Sequence, residues 1–377
     1  MGGASESVAA MKNTFGSAVT LTLFGESHGE WMGAVLDGVA PGLPVDENRI
    51  RSQLTLRRPQ DETSTARREA DAFSIVSGVY GGKTCGTPIC LLIPNRAQNS
   101  ADYQALRNIA RPGHGDYAQQ QKYHGFQDAR GGGHGSGRIT APIVAAAGLL
   151  LPALEQKQIC IRSHILRCGG ISDRRFSARE AELREEMQRL KEQPFPVLEE
   201  EARSAMRAEI LRAGAEKDSV GGVLETAICG LPAGLGEPWF DSVEGMLAHG
   251  LYSIPAVKGV SFGDGFALAE RRGSESNDSF FAQHGVICTE TNHNGGINGG
   301  ITNGMPILIQ TAIKPTPSIG LPQQTVDFET GEPTVLELRG RHDPCIVHRA
   351  AVVADSIAAL TVFDLLTQRY GTDWWRT

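Results

Sequence analysis

The chain has 377 residues, of which 40% are hydrophobic, so it is long and apolar enough to form one large domain or two ordinary ones. Its formal net charge of −7 argues against a general attraction to nucleic acid or to an anionic membrane, and any anion-binding site must therefore be local. The seven cysteines are scattered and form no CxxC pair, a pattern typical of reduced thiols in a cytoplasmic compartment rather than of a disulfide framework.

Strands and helices are predicted in an irregular order along the chain. Short aliphatic and β-branched stretches predict strands at residues 18–24, 34–39, 73–79, 89–94, 161–166, 222–229, 259–262 and 306–311. Amphipathic or apolar spacing predicts helices at residues 46–56, 141–156, 177–191, 198–212, 242–251 and 346–368. The mixture indicates an α+β class, and the absence of repeats or Pro/Ser-rich tethers in the sequence favours a single domain over residues 12–377.

Three segments need separate interpretations. Residues 1–11 have neither the basic nor the apolar region of a signal peptide, so we expect a disordered extension or an expression remnant there. Residues 173–217 are dense in charge at helical spacing and predict a solvated helical lobe. The longest apolar run, residues 141–154, is shorter than the roughly 18 residues that suggest a membrane span, so it predicts a buried helix.

Glycine accounts for 45 of the residues, and much of it is concentrated in five charged loops. Glycine allows a ligand to approach the backbone closely, and a neighbouring arginine adds a bidentate donor for phosphate or carboxylate. One such loop is weak evidence, but five together predict one large anionic site. The loops are GESHG (25–29), RPGHGDY (111–117), ARGGGHGSGR (129–138), NHNGGINGGITNG (292–304) and RGRHDP (339–344).

These loops carry five of the ten histidines, which exchange protons near neutral pH and suit general acid–base catalysis. Neither an HExxH motif nor a Cys/His cluster is present in the sequence, so no metal site is predicted. Asp343 could cap the helix that follows it or act as a base beside Arg341, and the sequence leaves both open. Arg57 ends a predicted helix, where a cation is favourable with or without a phosphate ligand.

Two further motifs are rejected as catalytic signatures. KDSVGG lacks the spacing of a serine-protease loop, so Ser219 is expected to precede a strand. GGGHGSG is not a GxGxxG fingerprint, and no nicotinamide (NADP) motif is visible in the sequence.

Taken in order, the loops resemble the chorismate synthase family over residues 13–368. The resemblance rests on GESHG, RRP, RPGHGDY, QKY, RGGG, DSVGG, PAGLGEP, AVKGV, GDGF, NGGINGGITNG, IKPTPSI and RGRHDPC. It implies a layered β-α-β sandwich in a single large α+β domain. It also implies a lyase that converts 5-enolpyruvylshikimate 3-phosphate to chorismate and phosphate, the last step of the shikimate pathway, with reduced FMN present. A cytoplasmic homotetramer would then be expected, together with an external reductant for the flavin.

The resemblance also assigns roles to particular positions. His28 would assist phosphate departure, His114 would serve the protonation of the reduced flavin, and Asp343 would be a carboxylate acting through the flavin. Substrate contacts would be made by Ser27, Arg57, Arg130, Ser136, Arg138 and Arg341. Flavin contacts would be made by His134, Gly135, Ser136, Pro255, Ala256, Gly299, Lys314, Pro315, Thr316, Pro317, Ser318 and Arg341.

The third glycine-rich loop departs from the family pattern at four positions. His134 stands where many members have arginine, and Gly135, Gly137 and Ile139 replace serine, alanine and glutamate. A positive charge near the flavin phosphate is therefore lost. Two alternatives stay open at this point, a non-catalytic homologue that binds flavin or a shikimate-type ligand and a metal- or phosphate-dependent hydrolase.

Overall fold

The computed structural model describes residues 12–64, 70–96, 107–283, 285–338 and 343–376. Its strands are β1 (Thr14–Phe15), β2 (Thr20–Gly25), β3 (Trp31–Asp37), β4 (Ser74–Ser77), β5 (Val79–Tyr80), β6 (Lys83–Thr84), β7 (Ile89–Pro94), β8 (Cys160–Cys168), β9 (Ile171–Ser172), β10 (Gly222–Cys229), β11 (Val257–Phe262), β12 (Phe280–Gln283), β13 (Val286–Thr289), β14 (Ile297–Asn298), β15 (Ile301–Thr302), β16 (Ile307–Ile313), β17 (Gln323–Val326) and β18 (Pro333–Leu336). Its α-helices are α1 (Glu47–Arg57), α2 (Asp116–Tyr123), α3 (Thr140–Gln156), α4 (Glu180–Leu190), α5 (Glu200–Ala215), α6 (Val243–Tyr252), α7 (Gly273–Ser276) and α8 (Val347–Tyr370).

Two five-stranded antiparallel sheets enclose a layer of helices. The first sheet has the order β1-β2-β3-β7-β4, and the second has the order β11-β16-β10-β8-β9. Helix α3 packs against α1, α8, β3 and β7, while α8 packs against β8 and β10 on the other side. This arrangement is the layered β-α-β sandwich expected from the sequence.

Helices α3 and α8 form the centre of this layer. Both are long and apolar enough to cross a membrane by length and composition, yet 83% and 100% of their most apolar windows are buried within the protein. Residues that are hydrophobic around the whole helix circumference suit a buried core helix. Helix α8 also binds the start of the chain, because the Asp364 carboxylate accepts hydrogen bonds from the backbone N–H groups of Ser17, Ala18 and Val19 at 2.8–3.0 Å.

The second sheet is covered on both faces. Leu224 and Ile228 of β10 belong to the main core, whereas Ala227 and Cys229 contact a separate apolar cluster with Leu183 and Met187 of α4. Because side chains alternate along a strand, this division places α4 on the outer face. Residues 173–217 therefore contain two helices, of which α4 packs against the second sheet; their definition as a lobe of one domain over residues 12–377 stays a prediction.

The predicted elements match the structure well where the apolar pattern is strong. The strands at 89–94 and 222–229 have the predicted bounds, and α1 begins after Asp46, whose side chain accepts from the N–H groups of Asn48 and Arg49. Helix α2 and the hairpins β12–β13 and β17–β18 were not predicted. Helix α2 has no buried residue, so it lacks the apolar period on which the prediction depends. The predicted extension at residues 1–11 lies outside the described residues.

Candidate active site

A cavity of about 300 Å³ lies where the end of α1, the start of α3 and the start of α8 meet. Polar and positively charged side chains contribute much of its wall, which is typical of a site for an anionic ligand. The lining residues are Arg57, Arg58, Pro59, Ser136, Gly137, Arg138, Thr140, Ile254, Pro255, Asp343, Ile346, Arg349, Ala350 and Val353. Five positions singled out in the sequence, Arg57, Ser136, Arg138, Pro255 and Asp343, are thus brought together.

Arg57 and Arg138 share one buried carboxylate. Asp71 Oδ2 accepts from Nη2 of Arg57 at 2.7 Å, and Asp71 Oδ1 accepts from Nη1 of Arg138. The Asp71 side chain is fully buried, and the two arginine side chains are 6% and 11% exposed. Burial alone would raise the Asp71 pKa, but the two guanidinium groups outweigh it and hold that pKa below its ordinary value. Asp71 is therefore ionised at neutral pH.

Asp343 pairs with Arg349 at the entrance to α8. Nη1 of Arg349 donates to Oδ2 of Asp343 at 2.9 Å, and Nε of Arg349 donates to the backbone carbonyl of Arg57 at 3.0 Å. The N-cap of α8 is Ile346, which makes no side-chain cap bond. Of the two interpretations left open, the structure does not support the helix cap, and the Asp343 carboxylate binds an arginine of the cavity wall.

The GESHG turn presents two buried polar side chains. Ser27 and His28 are each 3% exposed, and Ser27 Oγ lies 3.1 Å from His28 Nδ1. Ser27 Oγ donates its single proton to the carbonyl of Arg130 at 3.2 Å, so Nδ1 of His28 donates to Ser27 Oγ. Neither Ser27 nor His28 lines the 300 Å³ cavity.

Asn95 connects the turn to the arginine cluster. Its Nδ2 donates to the carbonyls of Glu26 at 3.0 Å and Gly29 at 2.9 Å, and its Oδ1 accepts from Nε of Arg138 at 3.3 Å. The side chain follows β7 directly, so the first sheet fixes its position. Through Asn95 the turn that carries His28 is held in register with Arg138.

The glycine-rich loop packs directly on His28. Gly131, Gly132 and Gly133 have φ angles of +61°, +99° and +56°, a run of left-handed conformations that side chains disfavour. A Cβ on Gly131 would lie 2.2 Å from Cε1 of His28, so only glycine allows the loop this close. The carbonyl of Gly133 accepts from the N–H of Ser27 at 3.1 Å.

His134 is the next residue of this loop, and it bonds back to the same turn. Its Nδ1 donates to the carbonyl of Gly25 at 2.7 Å, and this bond fixes the orientation of the ring. The His134 imidazole, which stands where many members of the resembled family have arginine, is therefore held in one orientation by a hydrogen bond. Ser136 and Gly137 then continue from the loop into the cavity wall.

His114 contacts the segment that follows β16. Its Nδ1 donates to the carbonyl of Pro112 at 3.3 Å, and Ser318 Oγ donates to its Nε2 at 2.9 Å. Burial, followed by the charge of Arg111, lowers the pKa of His114 to about 4. His114 is therefore neutral at pH 7 in this environment, with a proton on Nδ1.

Residues 314–318 are held in place from three sides. Nζ of Lys314 donates to the carbonyl of Gly113 at 2.5 Å, and the N–H of Lys314 donates to the carbonyl of Ala256 at 3.0 Å. Ser219 Oγ donates to the carbonyl of Thr316 at 2.6 Å. The positions predicted to bind flavin at 255–256 and 314–318 are thus adjacent, and Ser219 precedes β10 as predicted.

Other predicted site residues lie apart from the cavity. Arg130 binds Asp128 through two hydrogen bonds of 2.8 Å, and its side chain is 45% exposed. Gly299 occupies the exposed turn between β14 and β15, and a Cβ on Gly135 would meet the amide of Gln119 in α2. Arg341 lies outside the described residues, and so does His342.

Three residues of the site were missed from the sequence. Asp71, Asn95 and Arg349 lie in no glycine-rich loop, and each acts through a partner that is distant in the chain. No local signal marked Asp71, which closely follows Arg67, Arg68 and Glu69 in a charged stretch of the sequence. Within the described residues, no group of three His, Cys, Asp or Glu side chains is arranged to hold a metal ion.

Comparison with known proteins decides the family. The family model described as chorismate synthase matches residues 19–367. This chain belongs to the chorismate synthase family. Proteins named chorismate synthase from Methanocella arvoryzae and Thermococcus kodakarensis are 44% and 43% identical to it, over 93% and 94% of the chain and 93% and 97% of their own lengths.

A solved structure agrees with this assignment. The chain matches a structure titled "Crystal Structure of Chorismate Synthase" with a TM-score of 0.75 and 28% identity, over 95% of this chain and 94% of the other. The α+β sandwich expected from the sequence is therefore confirmed. Chorismate synthase is a carbon–oxygen lyase that eliminates phosphate from 5-enolpyruvylshikimate 3-phosphate, and this is the activity of the chain. The non-catalytic and hydrolase alternatives are not favoured.

Proposed function

We propose that the 300 Å³ cavity binds 5-enolpyruvylshikimate 3-phosphate and that its arginines hold the anionic groups of the substrate. The observation that carries this proposal is the charge of the wall: Arg57, Arg58, Arg138 and Arg349 face Asp343, with Asp71 behind them. Four cations against two carboxylates leave an excess of positive charge. A substrate with one phosphate and two carboxylates would neutralise that excess, and guanidinium groups bind such anions through paired hydrogen bonds.

His28 would act as the acid that assists phosphate departure. Its Nδ1 is fixed by Ser27, so Nε2 is the nitrogen that delivers the proton. The imidazole is buried beneath the glycine loop, where a positioned proton donor is not displaced by bulk water. Ser27 would orient this ring, since its hydroxyl is itself held by the backbone carbonyl of Arg130.

The cofactor would be reduced FMN, held by the loops at 134–136, 255–256 and 314–318, with Gly299 and Arg341 as further contacts. These loops fit an anionic flavin, because the Lys314 ammonium supplies a positive charge and has two further N–H donors beyond its bond to the Gly113 carbonyl. The flavin, when bound, supplies electron density that makes loss of the unactivated hydrogen at carbon 6 feasible.

His114 would set the protonation of the bound flavin. Burial and the charges of Arg111 and Lys314 keep the pKa of His114 at about 4, so the imidazole is neutral before an anion arrives. An anionic group beside it would raise this pKa toward neutrality, because an opposite charge favours imidazolium. Asp343 would accept a proton at the cavity wall, where Arg349 keeps its carboxylate oriented.

Membership of the family also supports four further proposals, on domain organisation, assembly, cellular location and the source of electrons. The chain would form one domain over residues 12–377, assemble as a homotetramer, work in the cytoplasm and receive electrons for its flavin from an external reductant. No nicotinamide motif is visible in the sequence, which favours the external source.

An anaerobic assay tests the proposed site. Purified protein, dithionite-reduced FMN and 5-enolpyruvylshikimate 3-phosphate should give chorismate and phosphate in equal amounts, with the flavin still reduced at the end. His28→Ala and His114→Ala should each slow turnover by about 10²- to 10⁴-fold while FMN still binds. Omission of FMN with no loss of rate would refute the cofactor proposal. Wild-type rates in either histidine variant would remove that residue from the mechanism.

A further inference from the structure

We propose that Asp71 is a positioning residue that holds the guanidinium groups of Arg57 and Arg138 at a fixed spacing for the phosphate of the substrate. This inference rests on the proposed function, because it assigns the phosphate to the wall formed by these two arginines. Asp71 itself does not line the cavity. It acts through the two arginines that do.

The geometry is that of a clamp with one carboxylate oxygen for each arginine. Oδ2 binds Arg57, which ends α1, and Oδ1 binds Arg138, which precedes α3. Both oxygens are therefore engaged, and the side chain is completely buried, so the carboxylate cannot rotate without breaking one of the two pairs. The separation of the guanidinium groups is set by the width of a single carboxylate.

The charge arrangement points to an anionic ligand. Two guanidinium groups share the single negative charge of Asp71, and this arrangement suits an anion at the cavity wall. Arg57 also keeps its buried Nε without a hydrogen-bond partner among the described residues. A buried N–H donor without a hydrogen bond costs free energy, and a phosphate oxygen would accept that hydrogen bond. The clamp is therefore incomplete until an anion binds.

The backbone at Asp71 guides the choice of variant. Its φ angle is +47°, in the left-handed region that aspartate and asparagine tolerate better than most residues. Asp71→Asn therefore keeps the shape and the backbone preference while it removes the charge. An amide offers one acceptor oxygen and one donor nitrogen, so it can hold one arginine but repels the other.

Steady-state kinetics of Asp71→Asn under the anaerobic assay test the clamp. We expect kcat to fall by roughly 100-fold, since a misplaced contact of about 1 Å costs that much. KM should rise by less than kcat falls, because the wall gains positive charge and still attracts the substrate. Asp61→Asn is the matched control: Asp61 also pairs with an arginine, Arg207 at 2.5 Å, but that arginine does not line the cavity, so the kcat of this variant should stay within twofold of wild type.

The outcomes distinguish a failure of the Asp71 proposal from a failure of the proposed phosphate site. A kcat of Asp71→Asn within twofold of wild type, or a fall in kcat matched by Asp61→Asn, would overturn the proposal. If Asp71→Asn does not fold, Asp71→Glu retains the charge and should still lose kcat, and wild-type turnover there would also overturn it. Arg138→Gln tests the phosphate assignment: normal activity refutes both ideas, whereas lost activity beside a normal Asp71→Asn refutes the clamp alone.

Discussion

The hydroxyl of Ser318 lies 2.9 Å from Nε2 of His114 and joins two loops that are more than 200 residues apart in the chain. Nδ1 of His114 carries the ring proton and donates it to the Pro112 carbonyl, so Nε2 is unprotonated and accepts the hydrogen bond from Ser318. This bond therefore stabilises neutral His114 and works in the same direction as burial and Arg111, which lower its pKa to about 4.

Removal of this hydroxyl should raise the pKa of His114. Ser318→Ala takes away a donor that binds only the neutral ring, so the pKa should move up from about 4 toward its ordinary value. The measurement is an NMR titration of the His114 Cε1 proton in the flavin-free protein. Thr316→Ala is a suitable control, because Ser219 binds the backbone carbonyl of Thr316 and not its side chain. An unchanged His114 titration in Ser318→Ala would contradict the bond.

Substitution by alanine should destabilise the protein at Gly131 but not at Gly137. Gly131→Ala places a Cβ 2.2 Å from the His28 ring at a φ of +61°, so we expect a loss of about 1–3 kcal/mol in stability and a loss of turnover close to that of His28→Ala. A Cβ on Gly137 would meet nothing within 4 Å, so Gly137→Ala should leave the stability unchanged. Urea unfolding and anaerobic kinetics measure these effects. Normal turnover in Gly131→Ala would show that the loop does not position His28.

His348 should make the protein less stable in mild acid. It is buried between Ser64 and Phe195, and burial, followed by the charge of Arg349, lowers its pKa to about 4. The unfolded chain binds a proton near pH 6.5 and the folded chain only near pH 4, so stability falls as the pH drops through this window.

The expected size is about 2 kcal/mol between pH 7 and pH 5 for this residue. Buried Asp355 opposes it, because its pKa is raised to about 6 and the folded protein then binds the extra proton. His348→Gln should remove the histidine contribution and lose less stability than wild type over that range. Urea unfolding at both pH values checks this, and equal losses would place the titrating group elsewhere.

The altered glycine loop predicts an effect on flavin affinity. His134→Arg restores a positive charge at the position where many family members have arginine, so reduced FMN should bind more tightly if that charge reaches the flavin phosphate. Anaerobic fluorescence titration measures the Kd. The substitution also loses the bond to the Gly25 carbonyl, so thermal stability is measured in parallel. An unchanged Kd would indicate that the charge at 134 does not act on the flavin.

The sequence predicted the parts of the site that have a local signature. The glycine-rich loops and their histidines can be recognised in the sequence because the residues involved are consecutive, as in GESHG and RPGHGDY. The strong apolar runs likewise predicted α3, α8 and β7, since burial imposes a period on the sequence.

The remaining parts depend on contacts between distant segments. Nothing local distinguishes Asp71 from any surface aspartate, and its role appears only when α1 and the turn before α3 meet. Asp343 shows that a residue with a clear local position can still be ambiguous in its role. Its position before a helix allowed two interpretations, and only the packing of Arg349 against it decided that it does not cap α8.

The bond between Asp364 and the backbone of Ser17, Ala18 and Val19 has a consequence for biosynthesis. The opening strands of the first sheet receive this partner only when α8, about 345 residues later in the chain, has left the ribosome. These strands must therefore remain partly assembled until α8 has been synthesised. A nascent chain stalled before α8 should be captured by chaperones or degraded.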